Sequence, residues 1–549
     1  MAMAKSPKLH IAMFPWFAFG HMIPYLNLSN ELAGRGHKIT FILPRKAQSK
    51  LQHLNFHPAL ITFHPLIVPH VDGLPPGTET ASDIPVSLTY LLATALDRTR
   101  DQVEAALRTL NPDLLFYDFA YWAPALASQL GIKSIYYCVV CAAAVAHTPI
   151  PAQQGSKDCR QLTDVPPPGY PSSTVVLRPH EARLMDFMFA PYGEGITFQQ
   201  RHITARTSCD AISIRTCQET EGPICDYIGS QYGKPVFLTG PVLPNPSVEP
   251  LEDRWAQWLG GFKPGSVIFC AFGSQNVHEK DQFQELLLGL ELTGLPFFAA
   301  LKPPTGAATI EEALPRGSKR GLEGGDWFME GGGCSSRHDP QIVLVPELPD
   351  QILNSRLLAE ELKVAVEVER EENGLFSKES LCDAIKTVMD ENSEVGGLVK
   401  KNHAKWKEAL TSQSFLSNYV DNFHGLGEWG WLCRHGGGFQ RANLPSRLSE
   451  TPSYLPESLA EPQLLRILSR DGELRGCRGR DALQLSWVQL AGVSGGYGAR
   501  NGFRRAKRGR FSSRGWGSSG IAGLAGGDED SGRKKIELDD LEGTVRFAG

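Results

Sequence analysis

The chain has 549 residues, of which 42% are hydrophobic and 21% charged, and its formal net charge is −5. These values are typical of a soluble globular protein and exclude a collagen-like, a small disulfide-rich and a wholly disordered chain. The weak negative charge gives no overall reason to expect a nucleic-acid or membrane partner.

The first half of the chain alternates strand-like with helix-like segments. Short apolar runs predict the strands, and periodic apolar positions predict the helices between them. In chain order the prediction is strand 9–16, a helix from Pro24 to a stop at Gly34, strand 38–44, strand 60–63, helix 103–110, strand 113–119, helix 122–130 and strand 133–140. This alternation indicates a parallel sheet covered by helices on both faces.

A proline-rich stretch then separates this half from a second one of similar design. Four prolines between Gly240 and Pro250 rule out regular structure and predict an interdomain linker at 241–253. The pattern restarts with strand 266–272, helix 281–292, strand 297–301, strand 342–346, helix 351–362, strand 363–368, helix 378–389 and helix 414–423. The sequence therefore predicts two α/β domains, at residues 1–240 and 254–424.

Two stretches do not fit this design. Residues 303–340 are rich in glycine and show no apolar period where an α/β domain should have a strand and a helix. Residues 425–549 hold 24 of the 55 glycines and carry a net charge of +5, against −10 for residues 1–424. We predict a Gly/Arg-rich tail of low order there, and our hypothesis is that both stretches come from altered reading frames or retained non-coding sequence.

The chain shows no sign of export or membrane insertion. Its eleven scattered cysteines suit a reducing compartment, and no apolar run approaches 18 residues. Cys138 and Cys141 have CxxC spacing without a second pair, so we interpret them as buried apolar residues and expect no metal site. The basic run 503–514 could bind nucleic-acid phosphates electrostatically, but acidic residues follow it and we interpret it as a solvated tail. We expect a cytoplasmic monomer with no nucleic-acid partner.

Polar residues follow several predicted strands, at the edge where open α/β sheets bind ligands: His21, Asp118, Ser274, Asp350 and Gln351. His21 and Asp118 would suit a base and its orienting carboxylate, although a surface histidine and a turn aspartate fit the spacing as well. Ser274 in Gly-Ser-Gln would suit a phosphate, but Gly-Ser is also a common turn. Asp350 and Gln351 could hold sugar hydroxyls or simply cap a helix.

No GxGxxG follows the first strand and no GxxxxGK[ST] occurs, so a dinucleotide site and a P-loop are unsupported. Several longer stretches instead resemble the plant UDP-sugar-dependent glycosyltransferases of secondary metabolism, most of all the branch that extends flavonoid or anthocyanin glycosides. The resemblance covers residues 7–302 and 341–423. Its motifs, which are specific when taken together, are Phe14 to Ser29, Phe116 to Pro124, Arg215 to Gly222, Trp258 to Gln275 and Pro346 to Leu358.

The resemblance implies a GT-B fold, in which two Rossmann-like domains face each other across a cleft. It implies a flavonoid-like glycoside as acceptor on the first domain and a UDP-sugar as co-substrate on the second, with no cofactor or metal. His21 would be the general base, Asp118 its partner, and the reaction would invert the anomeric carbon. Ser274 would contact the diphosphate, and Asp350 and Gln351 the hydroxyls of the donor sugar.

The chain departs from the family in the donor-binding box. The family has a tryptophan that stacks on uracil and a His-Cys-Gly segment before the Asp-Gln pair. Here no His-Cys-Gly occurs, Trp327 lies too close to Gln351, and His338 is followed by Asp and Pro. The loss of several charge-assisted contacts would weaken binding of a UDP-sugar. The alternative to an active transferase is therefore an inactive remnant that binds only the acceptor.

Overall fold

The computed structural model describes residues 8–147, 166–242, 253–263, 265–272, 277–315, 341–390 and 392–425, together with a strand at 487–491. The described residues all belong to one unit of the chain, Met1–Arg500. Most of the predicted linker, residues 316–340 of the glycine-rich stretch and the remainder of the tail lie outside the described residues.

The first domain is built on a parallel sheet of seven strands in the order β3-β2-β1-β4-β5-β6-β7. The strands are β1 (His10–Phe14), β2 (Lys38–Pro44), β3 (Ile61–Leu66), β4 (Leu114–Tyr117), β5 (Lys133–Cys138), β6 (Ala211–Ile214) and β7 (Val236–Leu238). The five strands predicted from the apolar runs are all present. Strands β2 and β3 lie on one side of β1 and β4 lies on the other, so β1 and β4 adjoin near the centre of the sheet.

Helices cover both faces of this sheet, as the sequence predicts. Side chains alternate along β1, so that Ala12 and Phe14 belong to one apolar cluster while Ile11 and Met13 belong to another. The helices of the first domain are α1 (Phe19–Gly34), α2 (Arg45–Leu51), α3 (Thr89–Asp97), α4 (Arg100–Leu110), α5 (Ala123–Gln129), α6 (Ala142–Ala146), α7 (Phe198–Ser208) and α8 (Gln218–Tyr232). Short 3-10 turns occur at Gln52–Leu54, Ala81–Asp83, Val86–Leu88 and Pro179–Phe189.

The first helix begins earlier than the sequence pattern predicts. It starts at Phe19 and contains Pro24, whereas the prediction starts at that proline. The backbone N–H groups of His21 and Met22 both donate to the carbonyl of Ala18, which closes the first turn ahead of the proline. The helix loses only the one hydrogen bond that Pro24 cannot donate, and His21 lies in the helix rather than in a loop.

The second domain contains a parallel sheet in the order β11-β10-β12-β8-β9. Its strands are β8 (Val267–Ala271), β9 (Phe297–Ala300), β10 (Gln341–Leu344), β11 (Val366–Glu367) and β12 (Trp487–Ala491). Its helices are α9 (Asp253–Gly260), α10 (Lys280–Leu292), α11 (Pro349–Arg356), α12 (Lys378–Met389), α13 (Glu394–Thr411) and α14 (Gln413–Gly425). A 3-10 turn occurs at Glu311–Ala313 and a π turn at Leu357–Glu361.

The middle strand of the second sheet comes from the tail. Strand β12 pairs in parallel with β8 on one side and with β10 on the other. For residues 487–491 this differs from the prediction of low order over 425–549. Strand β12 lies between β8 and β10, and no other strand of the described residues pairs with both. Its backbone therefore satisfies the N–H and C=O groups on the facing edges of β8 and β10.

The last described helix returns to the first domain. Val420 of α14 is buried in an apolar cluster of the first sheet, and Asp421 forms an ion pair at 2.5 Å with Arg35, the residue directly after α1. The hydroxyl of Tyr419 accepts a hydrogen bond from the backbone N–H of Gln218 at 2.8 Å. The predicted helix 414–423 is thus present and connects the end of the second domain to the first.

Candidate active site

The His21 and Asp118 side chains meet at the carboxyl edge of the first sheet. Asp118 directly follows β4, and His21 lies in the first turn of α1, which follows the neighbouring strand β1. The Nδ1 atom of His21 is 2.6 Å from Oδ2 of Asp118, and both residues are only 2% exposed. The other carboxylate oxygen, Oδ1, accepts a hydrogen bond from the backbone N–H of Trp16 at 2.7 Å.

This pair has the geometry of a base with an orienting carboxylate. Because a carboxylate oxygen accepts, the hydrogen of the imidazole lies on Nδ1, and Nε2 carries the lone pair that can take a proton. The carboxylate also stabilises the imidazolium that forms when the proton is taken. Of the two interpretations that the sequence leaves open, the geometry favours the pair over a surface histidine.

A buried ion pair lies directly behind the loop that carries Asp118. Arg201 of α7 is fully buried, and its guanidinium donates to both oxygens of Asp97 at 2.9 and 2.5 Å. The same guanidinium donates to the carbonyl of Phe119 at 3.1 Å, and Asp97 accepts from the indole N–H of Trp122 at 3.2 Å. These bonds fix both ends of the loop 118–122. No local sequence pattern indicates this pair, because its members are 104 positions apart.

Aromatic rings pack around the loop 118–122. The ring of Phe119 lies 4.4 Å from that of Trp16 and 5.4 Å from that of His202, measured between centroids. Nδ1 of His202 is 3.0 Å from the hydroxyl of Tyr136. Burial, together with the nearby charges of Arg206 and Arg201, lowers the pKa of His202 well below its ordinary value. His202 is therefore a neutral imidazole at physiological pH.

Asp350 and Gln351 lie in the first turn of α11, as the sequence predicts for a helix after β10. The Gln351 side chain is the one that caps this turn, because its Oε1 accepts from the backbone N–H groups of Glu347 at 2.9 Å and Leu348 at 3.2 Å. The carboxamide nitrogen of Gln351 takes no part in these two bonds and is the hydrogen-bond donor of the side chain. Leu348 occupies the N-cap position, so Asp350 lies inside the first turn and not at its cap.

One oxygen of the Asp350 carboxyl, Oδ1, is shielded and lacks a hydrogen-bond partner among the residues that the structure describes. Burial raises the pKa of Asp350 to about 7, against the lowering effect of the backbone N–H groups of the first turn. The thiol of Cys141, from the loop between β5 and α6, donates to the backbone carbonyl of Asp350 at 3.7 Å. The first turn of α11 thus lies against the first domain.

The remaining predicted donor residue, Ser274, lies at 273–276, outside the described residues. Trp327 and His338, to which no donor role is assigned, lie at 316–340, also outside them. Over the described ranges no group of three or more His, Cys, Asp or Glu side chains is arranged to hold a metal ion. The seven cysteines in those ranges, Cys138 and Cys141 among them, form no disulfide. No helix within them is long and apolar enough to cross a membrane.

Comparison with solved structures identifies the fold. Apo UGT2 of Phytolacca americana superposes with a TM-score of 0.59 at 20% identity, over 77% of this chain and all of that one. UGT89C1 of Arabidopsis thaliana complexed with UDP-L-rhamnose superposes with a TM-score of 0.56 at 18% identity, over 77% and 99% of the two chains. The fold is therefore GT-B, the class in which two Rossmann-like domains face each other across a cleft.

Sequence comparison then identifies the family. The chain is 53% identical over 441 residues to UDP-glycosyltransferase 79B9 of Arabidopsis thaliana, an alignment that covers 76% of this chain and 96% of that protein. It is 50% identical over 451 residues to the anthocyanidin 3-O-glucoside 2'''-O-xylosyltransferase of the same plant, with the same two coverages. No family model matches the chain. The chain belongs to the plant UDP-glycosyltransferases, which use a UDP-sugar as co-substrate.

Proposed function

We propose that this glycosyltransferase moves a sugar from a UDP-sugar to a hydroxyl of a flavonoid or anthocyanin glycoside, with inversion at the anomeric carbon. The observation that carries the proposal is the buried 2.6 Å contact between His21 and Asp118 at the carboxyl edge of the first sheet. A relative at 50% identity is named for xylosyl transfer to an anthocyanidin 3-O-glucoside, which makes UDP-xylose the first donor to test.

In this proposal Nε2 of His21 takes the proton of the acceptor hydroxyl as the oxygen attacks the anomeric carbon. The bond from that carbon to the UDP oxygen breaks, and UDP leaves with its electron pair. Asp118 holds the imidazole and stabilises its charged form. UDP is already a good leaving group, so the enzyme mainly orients the two substrates and takes one proton.

The donor side of the proposal rests on three residues. Asp350 and the carboxamide nitrogen of Gln351 would hold hydroxyls of the donor sugar, and Ser274 would contact the diphosphate. The shielded Oδ1 of Asp350 supports this assignment, since a sugar hydroxyl would donate to it. We place the acceptor on residues 1–240 and the donor on residues 254–424, joined by a linker at 241–253, in an enzyme that acts as a cytoplasmic monomer.

A transfer assay tests the proposal. The full chain is incubated with labelled UDP-xylose or UDP-glucose and a flavonoid 3-O-glucoside, and the anomeric configuration of the product is read by NMR. We expect an inverted product and a rate loss on the order of 10²- to 10⁴-fold in H21A. H53A, which changes an exposed histidine of the same domain, is the matched control. Equal activity of H21A and H53A would overturn the assignment of the base.

The second candidate is a chain that binds an acceptor without transferring sugar. It is favoured by the absence of any His-Cys-Gly segment from the sequence, since that segment reaches the phosphates in the family that the chain resembles. Calorimetry with UDP and with the flavonoid glycoside separates the two candidates. Binding of the glycoside without binding of UDP supports the remnant, and binding of both followed by product supports the transferase.

A further inference from the structure

Arg356 is a buried cation that connects the two domains. It is the last residue of α11 in the second domain and is only 3% exposed. Its guanidinium contacts Oε1 of Glu181, in the first domain, at 2.5 Å and Oε2 of Glu367, in its own domain, at 3.3 Å. It also donates to the backbone carbonyl of Val176. One arginine thus joins a carboxylate from each domain and a main-chain carbonyl of the first.

Helix α11 also packs into the first domain through apolar side chains. Ile352, Leu353 and Leu357 are buried in one cluster with Val175 and Leu177 of the first domain. Residues 175–177 therefore share an apolar cluster with α11 and bond to its last residue through the carbonyl of Val176. A buried guanidinium keeps its charge and therefore needs a carboxylate partner. The apolar contacts around it exclude water from this ion pair.

A second contact holds the same segment from the other side. Oε1 of Glu361, five positions after Arg356, accepts hydrogen bonds from the hydroxyls of Ser172 and Thr174. Residues 172–181 of the first domain are therefore bound at both ends by residues 356–361 of the second. Glu181 is itself fixed, because its Oε2 accepts from the backbone N–H of Arg178 at 2.6 Å.

The other end of α11 carries Asp350 and Gln351. A helix of eight residues is a rigid rod of about 12 Å, so an anchor at its last residue sets where its first turn lies. That turn already touches the first domain through the thiol of Cys141, 3.7 Å from the carbonyl of Asp350. The position of Asp350 and Gln351 relative to the first domain is thus set by contacts at both ends of the helix.

We propose that Arg356 is a positioning residue for sugar transfer: through Glu181 and Val176 it fixes the first turn of α11, and with it the donor sugar, relative to the acceptor domain. This inference rests on the proposed function. Arg356 acts through the helix and touches neither substrate. Its loss should therefore slow transfer without weakening the binding of UDP, which lacks the sugar that Asp350 and Gln351 would hold.

Hydrogen exchange of the full chain tests the connection without requiring activity. We expect R356M to speed amide exchange at least tenfold in residues 172–181 and 349–356 and to leave β1 and β4 unchanged. E181Q removes one charge at nearly constant size and should affect the same two segments, while R356K should restore part of the protection. R108M, which breaks an exposed ion pair within α4, is the matched control. Unchanged exchange in both segments, or faster exchange throughout the first sheet, overturns the proposal.

Kinetics test its consequence for transfer. In R356M we expect kcat to fall at least tenfold while the Kd of UDP, measured by calorimetry, changes less than threefold. A parallel loss of UDP binding would show that the second domain itself is damaged, which contradicts a positioning role. If the wild-type chain forms no product, the proposed function fails, and the exchange experiment still decides whether Arg356 connects the two domains.

Discussion

A hydrogen bond of 2.6 Å joins Nδ1 of His21 to Oδ2 of Asp118, two residues that lie 97 positions apart in the chain. The backbone N–H of Trp16 holds the second oxygen of the carboxylate at 2.7 Å. Both oxygens of Asp118 therefore have fixed partners, and the orientation of the imidazole is set before a substrate binds.

Asp118→Asn should lower kcat by about 10²- to 10⁴-fold without unfolding the protein. With Trp16 still donating to the oxygen, the amide nitrogen faces His21 and donates to Nδ1, which moves the imidazole hydrogen to Nε2 and removes the base. The measurement is kcat with a saturating UDP-sugar and glycoside. Asp113→Asn is the control, since Asp113 also accepts a backbone N–H, from His10, but at the opposite end of the strand. Similar losses in both variants would show that Asp118 has no special role.

Arg201→Met should destabilise the first domain by about 3–5 kcal/mol, because it leaves the buried Asp97 carboxylate without its partner. The double variant with Asp97→Leu should recover much of this loss, since no charge is then left buried. Urea unfolding followed by circular dichroism measures both. The exposed ion pair of Arg108 with Glu104 gives the comparison, and R108M should cost less than about 1 kcal/mol. Equal destabilisation by R201M and R108M would contradict the role of the buried pair.

Gly193→Ala should disturb the ion pair of Arg201 with Asp97, because the added Cβ would lie against it. Gly193 has a φ of +98°, and a Cβ added there would lie 1.9 Å from Nη2 of Arg201 and 2.5 Å from Oδ2 of Asp97. Gly131→Ala is a matched control, because its φ is +72° and nothing lies within 4 Å of the added Cβ. The backbone cost common to both is about 1–3 kcal/mol. We expect G193A to lose clearly more stability than G131A in thermal unfolding, and equal losses would count against the clash.

Asp350→Asn should stabilise the protein more at pH 8 than at pH 4. An aspartate in an unfolded chain has a pKa of about 3.9, while burial raises the pKa of Asp350 to about 7. Between these values the folded state holds more protons than the unfolded state, so the contribution of Asp350 to stability falls as the pH rises. Melting temperatures of both proteins at the two pH values measure this. Asp383→Asn, at an exposed position of α12, is the control. A difference between D350N and wild type that is the same at both pH values would refute the raised pKa.

Deletion of residues 426–549 should loosen the second sheet. Strand β12 lies between β8 and β10, and its removal leaves two strands with open backbone groups inside the domain. We expect faster amide exchange in β8 and β10 and unchanged exchange in β1 and β4 of the first sheet. Adding the tail back as a separate peptide of residues 480–500 should restore part of the protection. If β8 and β10 exchange equally in the full and the shortened chain, the tail does not support the sheet.

Much of the first domain follows from its sequence. The apolar runs locate the five predicted strands, and the order of parallel strands places His21 and Asp118 at one edge. Prediction fails where the local signal is ambiguous. Pro24 marks a helix start by its type, yet the helix begins at Phe19 because the carbonyl of Ala18 finds donors ahead of the proline. Likewise Asp350 has the residue type of an N-cap, but it lies inside the first turn and Leu348 occupies the N-cap position.

Contiguous residues are therefore enough to predict the α/β design, the strand edge that carries the site and the family resemblance. Only the folded chain shows that Arg201 pairs with Asp97, that Arg356 pairs with Glu181 and that β12 enters the second sheet. The physical reason is that a buried charge or an unpaired strand edge must find a partner, but the fold, and not the spacing along the chain, determines which residue comes within reach.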